Sequence, residues 1–213
     1  MSATATKRRE QVYLKKFICD NFGLTPLEIS KMYYPSYRDS EEIRKFIVPI
    51  KPGFHDRLFP EYPSRKQARL SDYTEMGEFN IPGNTIKKAY LCHSHIRKIR
   101  EGDVVIFYRS IDQQLTALGV VENAIVTKKL EEIIKFIGKR SVYSMRNLSE
   151  MAKKPVLCIL FMYHFYFKNP IDYKTLKKEG IISSAPRSIT EISQEDYSKI
   201  KKLGGLDERF IVH

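Results

Sequence analysis

Residues 92–95 read Cys-His-Ser-His, which brings three potential metal ligands or nucleophiles into four positions. A structural zinc site takes four ligands, commonly as two pairs at short spacings. Adjacent residues on a strand point to opposite faces, so Cys92 and His93 cannot share a site there. No second Cys or His pair follows at a useful spacing. The sequence therefore predicts no metal site, and we expect Cys92 to be a small buried residue rather than a catalytic thiol.

Motifs for nucleotide cofactors are also missing. The chain contains neither the G-x-x-x-x-G-K-[ST] loop nor G-x-G-x-x-G, and it has no acetyl-CoA loop. The carboxylate pair Glu131 and Glu132 falls on a predicted helix surface, where solvated charge is the better interpretation. We therefore expect no cofactor and favour binding over catalysis.

Charge is the most informative bulk property. Lysine and arginine number 37 against 25 acidic residues, which gives a net charge of +12. A field of that sign concentrates polyanions and favours RNA or DNA as partner, although a lysine-rich surface can also serve solubility alone. The three cysteines are scattered, and no signal peptide or membrane span is visible, so we expect a cytoplasmic protein.

Tyrosine and phenylalanine are abundant, at 13 and 12 residues, and tryptophan is absent. Tyr108 and Tyr143 stand next to the basic segments "RS" and "KRS". An aromatic ring can stack on a base while lysine or arginine holds phosphate, which is a common solution for single-stranded nucleic acid. The alternative is that both rings pack in the core.

The pattern of elements indicates an α+β fold with a small curled sheet. Strands are predicted in "KKAYLCH", in "DVVIFYR" after a turn at Gly102, in "LTALGVVENAIV" with a bulge or close approach at Gly119, and in "PVLCILFMYHFYF". Helices are predicted up to Gly23, after a capping box from Thr25 to Glu28, from Ser40 to about Phe46, from Leu130 to Gly138, from Ser144 to Met151, and from Ser193 to Gly204. We place a boundary near residue 46, between a helical N-terminal extension (1–45) and the main domain (46–213).

Six segments in order resemble PUA-like domains of the EVE/ASCH type: "KKAYLCHS", "IREGDVVIFYRS", "LTALGVVE", "GKRSVYS", "PIDYKTLKKEGI" and "APRSITEISQEDYSKI". The version most similar is the one fused behind GNAT-type acetyltransferases in prokaryotes, and the acetyltransferase itself is absent here. The resemblance covers about residues 46–203. It implies a twisted β pseudo-barrel, similar to YTH readers, that binds RNA or a modified base in a pocket at the barrel side without catalysis.

Carried over residue by residue, the resemblance implies nucleic-acid-binding positions at His93, Ser94, Tyr108, Arg109, Ser110, Lys139, Arg140, Ser141, Tyr143, Arg187 and Ser188. Two alternatives remain open. One is an enzyme acting on nucleic acid or a nucleoside derivative, in which Lys139, His93 and Tyr108 serve as nucleophile, acid and base. The other is a module whose N-terminal helices dock a separately encoded acetyltransferase or toxin.

Overall fold

A computed structural model describes residues 13–62 and 86–213, except for the side chain of Lys139. The strands in these ranges are β1 (Tyr37–Arg38), β2 (Lys45–Ile50), β3 (Lys87–Cys92), β4 (Val104–Arg109), β5 (Gln114–Thr127), β6 (Val156–Asp172), β7 (Thr190–Ile192) and β8 (Ile211–Val212). The helices are α1 (residues 13–21), α2 (Pro26–Met32), α3 (Pro52–Leu58), α4 (Leu130–Ile137), α5 (Met145–Met151), α6 (Tyr173–Lys178) and α7 (Gln194–Gly204).

Six strands form one sheet in the order β3-β6-β5-β4-β2-β7. β2 and β4 are parallel, and the other neighbours are antiparallel. A second, two-stranded sheet pairs β1 with β8. Strands and helices do not alternate as in a doubly wound sheet. The fold is α+β, as the sequence predicts.

The sheet curls around an aromatic interior. Phe46, Phe107 and Phe161 lie on its enclosed face, and the last two rings are 4.8 Å apart. Phe59, directly after α3, plugs this interior with its ring 5.0 Å from that of Phe107. The outer face is covered in two parts, by α6, α7 and β1 on one side and by α4 and α5 on the other.

Gly119 lies at a point where β5 and β6 approach too closely for any side chain. The register of the two strands shifts between Leu118 and Gly119. A Cβ atom at Gly119 would lie 2.6 Å from Cδ2 of Phe161 and 2.7 Å from the carbonyl oxygen of Met162. The prediction of a bulge or close approach at this glycine is confirmed on both counts.

The predicted helix from Ser40 to about Phe46 is wrong. Residues 41–43 form a turn, and β2 begins at Lys45. Phe46 and Ile47 pack on opposite faces of the sheet, which needs the two-residue alternation of a strand. Pairing with β4 supplies the hydrogen bonds that an isolated short helix would have to make alone.

β3 and β4 are strands as predicted, with the predicted turn at Gly102, which has a positive φ of 83°. β6 and β5 lie between these two strands in the sheet. One further expectation needs correction. Helix α7 continues through Gly204 and is terminated by Gly205, which has a left-handed conformation. Gly204 instead faces Phe167, where a Cβ atom would approach the ring.

The predicted helix N-caps are confirmed. Thr25 and Glu28 form the predicted capping box at the start of α2. Ser144 and Ser193 cap α5 and α7 through their side-chain hydroxyls. Within the described ranges, no helix has the length and apolar character needed to cross a membrane.

A buried ionic network fixes the N-terminal segment on the sheet. The carboxylate of Asp39 lies 3.2 Å from Nζ of Lys45 and 2.6 Å from Nζ of Lys201, and it accepts a hydrogen bond from Gln194 at 3.0 Å. Burial alone disfavours the charged carboxylate, but the bonds from Lys201 and Gln194 hold the pKa of Asp39 below its ordinary value. Residues of the predicted extension thus contribute directly to the packing between β2 and α7.

Replacing Gly119 with alanine should lower the free energy of unfolding by about 1–3 kcal/mol or more, because the new methyl group overlaps Phe161 and a backbone carbonyl. Urea unfolding followed by circular dichroism measures the change. Gly53→Ala is the matched control, because no atom lies within 4 Å of a Cβ at that position. Equal stability of the two variants would contradict the close approach.

Replacing Asp39 with asparagine should cost about 3–5 kcal/mol, since Lys45 and Lys201 would stay buried without a counter-charge. Asp20→Asn is the control, because its ion pair with Arg38 is partly exposed and worth under about 1 kcal/mol. Urea unfolding midpoints report both effects.

The same carboxylate sets a pH dependence. The pKa of Asp39 is lower in the folded chain than the unfolded value of about 3.9. Its contribution to stability is therefore complete above that pH and is lost as the pH falls through the folded-state pKa. Wild-type protein should lose this stability on acidification and Asp39→Asn should not; parallel pH profiles would contradict the network.

Candidate nucleic-acid interface

The curled sheet meets itself through side chains rather than through a strand ladder. β7 pairs with β2 only at Lys45–Ile47, so the rest of that edge of β2 is open. The hydroxyl of Tyr90, on β3, donates a 2.6 Å hydrogen bond to the carbonyl of Pro49 on this open edge. The loops that follow β3 and precede β7 are thereby brought together.

Five polar residues gather at this junction, and we call them the closure site: His93, Ser94, Arg97, Arg187 and Ser188. The hydroxyl oxygens of Ser94 and Ser188 are 3.2 Å apart, and Nη1 of Arg97 donates to the carbonyl of Ser94 at 2.8 Å. Ser94 is buried, whereas the other four side chains are exposed. The closure site therefore presents two hydroxyls, an imidazole and two guanidinium groups.

His93 is oriented by the backbone. Its Nδ1 lies 3.0 Å from the carbonyl oxygen of Pro155, which can only accept a hydrogen bond, so Nδ1 carries the proton. In the neutral imidazole, Nε2 is then left as an acceptor on an exposed side chain. Such a nitrogen can read a donor on a ligand.

The closure site carries excess positive charge. Arg97 bonds only to backbone carbonyls, and within residues 13–62 and 86–213 neither Arg97 nor Arg187 meets a carboxylate. Lys98, by contrast, is paired with Glu191. Planar guanidinium groups without an acidic partner are well suited to bind phosphate in a bidentate way.

Tyr108, Arg109 and Ser110 lie elsewhere. Tyr108 is 1% exposed and packs in the core beneath α6 and α7, where burial raises its pKa. Arg109 donates to both oxygens of Asp56 at 2.9 and 3.0 Å and also pairs with Asp112. This placement does not fit a stacking ring, a phosphate-binding cation or a catalytic base, because each group is buried or already held.

Tyr143 lies at a different place again, beside β3. Its hydroxyl donates to the carbonyl of Leu91 at 3.1 Å and accepts from the amide of the same residue at 3.2 Å. Its ring stacks on Phe54 at 4.8 Å, and burial raises its pKa. Tyr143 thus holds β3 in place and has no free group to recognise a base.

The basic residues beside Tyr143 differ in availability. Arg140 is half-buried and lies 2.9 Å from Glu122, which also pairs with Lys87. The hydroxyl of Ser141 accepts a hydrogen bond from the amide of Tyr143 at 3.0 Å. The side chain of Lys139 lies outside the described part. Of the eleven predicted site residues, the structure therefore gathers His93, Ser94, Arg187 and Ser188.

Burial makes Cys92 unreactive. It raises the pKa of this thiol to about 11, so the group is protonated at neutral pH and is a poor nucleophile. No three His, Cys, Asp or Glu side chains come together as a metal site in the two described ranges. The side chains at this end of β3 are therefore suited to binding a ligand rather than to reacting with it.

Sequence reasoning missed a second cluster, formed by buried Lys88 with the buried ring of Phe59 and the half-buried rings of Tyr163 and Tyr166. Its Nζ lies 5.6 Å from the ring centroid of Phe59 and 5.8 Å from that of Tyr163. The ring of Tyr166 packs against that of Tyr163 at a tilt of 47°, with the two centroids 4.9 Å apart. Burial lowers the pKa of Lys88 to about 8. The tyrosines were visible in the sequence, but nothing local distinguishes Lys88 from the neighbouring Lys87.

A family model for the EVE domain matches residues 87–203, from the start of β3 to the end of α7. The chain belongs to the EVE domain family. The matched residues include the whole closure site and five of the six strands of the main sheet. The resemblance that the sequence suggested is confirmed at this level.

Solved structures show the same fold. The ASCH protein of Zymomonas mobilis is 12% identical, with a TM-score of 0.55 over 75% of this chain and 94% of that chain. A serine-to-alanine variant of that protein gives 11% identity and a TM-score of 0.56, over 77% and 99%. The EVE domain described here therefore has the predicted PUA-like pseudo-barrel fold.

A more distant likeness links the chain to human THYN1, solved in complex with DNA containing 5-methylcytosine. The identity is 11% and the TM-score 0.41, over 77% of this chain and 99% of that chain. At that TM-score the likeness bears on no residue of this chain. No protein with a curated functional assignment matches the sequence.

Tyr143→Phe should lower the free energy of unfolding by about 1–3 kcal/mol, because the hydroxyl satisfies two backbone groups of Leu91 in a buried position. Nucleic-acid affinity, measured on the folded protein by fluorescence anisotropy, should stay unchanged. Tyr13→Phe is the control, since that ring is exposed and its loss of a hydroxyl should change stability by less than about 0.5 kcal/mol. Weakened binding at unchanged stability would instead place Tyr143 in the interface.

Proposed function

We propose that this EVE domain is a non-catalytic nucleic-acid-binding protein, and that the closure site holds the nucleic acid. The observation that carries the proposal is a pair of exposed arginines beside the two serines: Arg97 donates to the carbonyl of Ser94, Arg187 directly precedes Ser188, and neither meets a carboxylate within the described residues. Because the net charge of the chain is +12, the surrounding field also attracts a polyanion.

Each group of the closure site has a role in this proposal. Arg97 and Arg187 bind the phosphates on either side of one nucleotide. The hydroxyls of Ser94 and Ser188 and the free Nε2 of His93 then face the base, whose edge carries both donors and acceptors. Hydroxyls and a neutral imidazole supply both kinds of partner.

The contacts available favour an unpaired or modified base in RNA or DNA over a duplex. A base inside a duplex shows the protein only its groove edges, whereas a single-stranded or flipped base exposes its whole hydrogen-bonding edge. Binding rather than catalysis is supported by the protonated thiol of Cys92 and by the buried position of Tyr108.

The proposal is tested by removing both arginines. Arg97→Ala with Arg187→Ala should weaken binding of a short single-stranded RNA or DNA by at least about 10-fold and reduce the salt slope by about 2. Fluorescence anisotropy between about 50 and 200 mM salt measures both quantities. Both side chains are exposed, so the fold should be unaffected.

The matched control is Lys174→Ala with Lys178→Ala, which removes the same charge from α6. This helix follows the end of β6 that pairs with Gln114, whereas the closure site adjoins the end that pairs with Cys92. The control should lose much less affinity. If both double variants lose affinity and slope equally, the charge acts only as a field and the closure site is not the interface.

Ser94→Ala with Ser188→Ala separates recognition of a base from binding of phosphate. Under the proposal, this variant keeps the salt slope of the wild type but loses its preference among modified and unmodified oligonucleotides at the higher salt concentration. An unchanged preference would show that the base is read elsewhere, and the proposal would then keep only its phosphate contacts.

A further inference from the structure

Helix α1 exposes a large apolar surface. In α1 the side chains of Tyr13, Leu14 and Phe17 are 74%, 57% and 56% exposed, and Phe22, directly after the helix, is 75% exposed. Large apolar side chains clustered on one surface of a protein mark a contact with a partner far more often than single exposed ones do. We therefore expect these exposed side chains to contact a partner molecule.

The opposite side of α1 anchors the helix to the protein. Cys19 is completely buried against Ile29 and Val212, and Lys15 donates a hydrogen bond to the hydroxyl of Ser36 at 3.0 Å. The helix is thus presented with a fixed orientation, and the apolar stripe points away from the sheet. The stripe contains Tyr13, Leu14 and Phe17, which share one face at helical spacing.

Two opposite charges border this stripe. Lys16 and Asp20 are exposed and lie one helical turn apart on the same edge. When two identical helices pack antiparallel about a two-fold axis, the same edge of each helix meets, in reversed order. An axis at the level of Ile18 then places Lys16 of each copy opposite Asp20 of the other.

We propose that α1 is a homodimerisation helix, which packs antiparallel on α1 of a second copy of this chain. The axis that pairs Lys16 with Asp20 also brings the two Phe17 rings together at the centre of the contact. Apolar and charged positions match in the same register. The carboxylate of Asp20 bonds Arg38 through one oxygen at 3.2 Å and is 42% exposed, so it can also accept from Lys16.

The mixed edge also favours a second copy over other occupants. An anionic membrane surface attracts helices whose polar face is uniformly basic, whereas this edge carries Asp20 as well as Lys16. A strongly acidic partner would meet the same carboxylate. Self-pairing satisfies both charges twice, with no other molecule required.

The salt dependence of dimerisation distinguishes it from nucleic-acid binding. Each copy carries a net charge of +12, so long-range repulsion opposes association at low ionic strength. Added salt screens this repulsion while leaving the apolar contact intact. The dimer should therefore tighten as salt rises, which is opposite to the behaviour of nucleic-acid binding.

Sedimentation equilibrium of the full chain tests the proposal, on protein freed of nucleic acid, from about 1 to about 100 µM and at low and high salt. Wild type should be dimeric and more so at high salt. Phe17→Asp should raise the dissociation constant at least about 100-fold, since a charge would replace the central apolar contact. Ile111→Asp is the control: it alters an apolar residue that is even more exposed, in the β4–β5 turn, and should leave the dimer intact.

Charge reversal tests the antiparallel register. Lys16→Asp and Asp20→Lys should each weaken the dimer about fivefold, and the double variant should restore it. A monomer at every concentration, a dimer that survives Phe17→Asp, or a double variant no tighter than the singles would each overturn the proposal. Circular dichroism confirms that each variant keeps its helices.

Discussion

The hydrogen bond from Tyr90 to the carbonyl of Pro49 marks the constraint on which the rest of the molecule depends: a six-stranded sheet must close on itself without a complete ladder. Pro49 has no amide proton to offer, and β7 begins at Thr190 opposite Ile47, so a regular strand ladder does not continue here and the side chain of Tyr90 makes the connection. Closure places Ser94 and Ser188 in contact although they lie 94 residues apart in the sequence. The candidate interface is a consequence of the way in which the barrel closes.

Curvature makes this closure possible, and it has its own local requirements. β5 and β6 carry most of the bend, with register shifts at three places along their shared ladder. At Gly119 the strands come so close that Phe161 fills the space of a side chain. The enclosed face is then packed by aromatic rings, and Phe59 closes one opening. Aromatic residues suit this role because each buries a large apolar area in a rigid shape.

Several acidic side chains form ion pairs with lysines and arginines of the fold. Asp39 neutralises two buried lysines, Asp56 holds Arg109, and Glu122 bridges Lys87 and Arg140. A buried cation without such a partner would be strongly destabilising. Arg97 and Arg187 of the closure site, in contrast, are exposed and meet no carboxylate within the described residues.

Much of the fold follows from local signals in the sequence. The capping box of Thr25 and Glu28, the apolar run of β4 and the close approach at Gly119 depend on near neighbours or on glycine itself, and each of these predictions is confirmed. The stretch from Ser40 to Phe46 was misread because its strand depends on pairing with β4, which is distant in sequence. Where a sheet bends and which strands become neighbours depend on contacts of this kind.

The sequence by itself determined an α+β fold of the EVE family, a basic protein and the segments in which polar site residues would be found. Tertiary structure alone decided which of them lie together. Tyr108 and His93 are each followed by a polar residue at the end of a strand, yet Tyr108 is buried under α7 and His93 is exposed at the closure. Whether a residue is buried depends on which helix or strand covers its face of the sheet. That covering element is distant in sequence, so the residues around the position do not predict it.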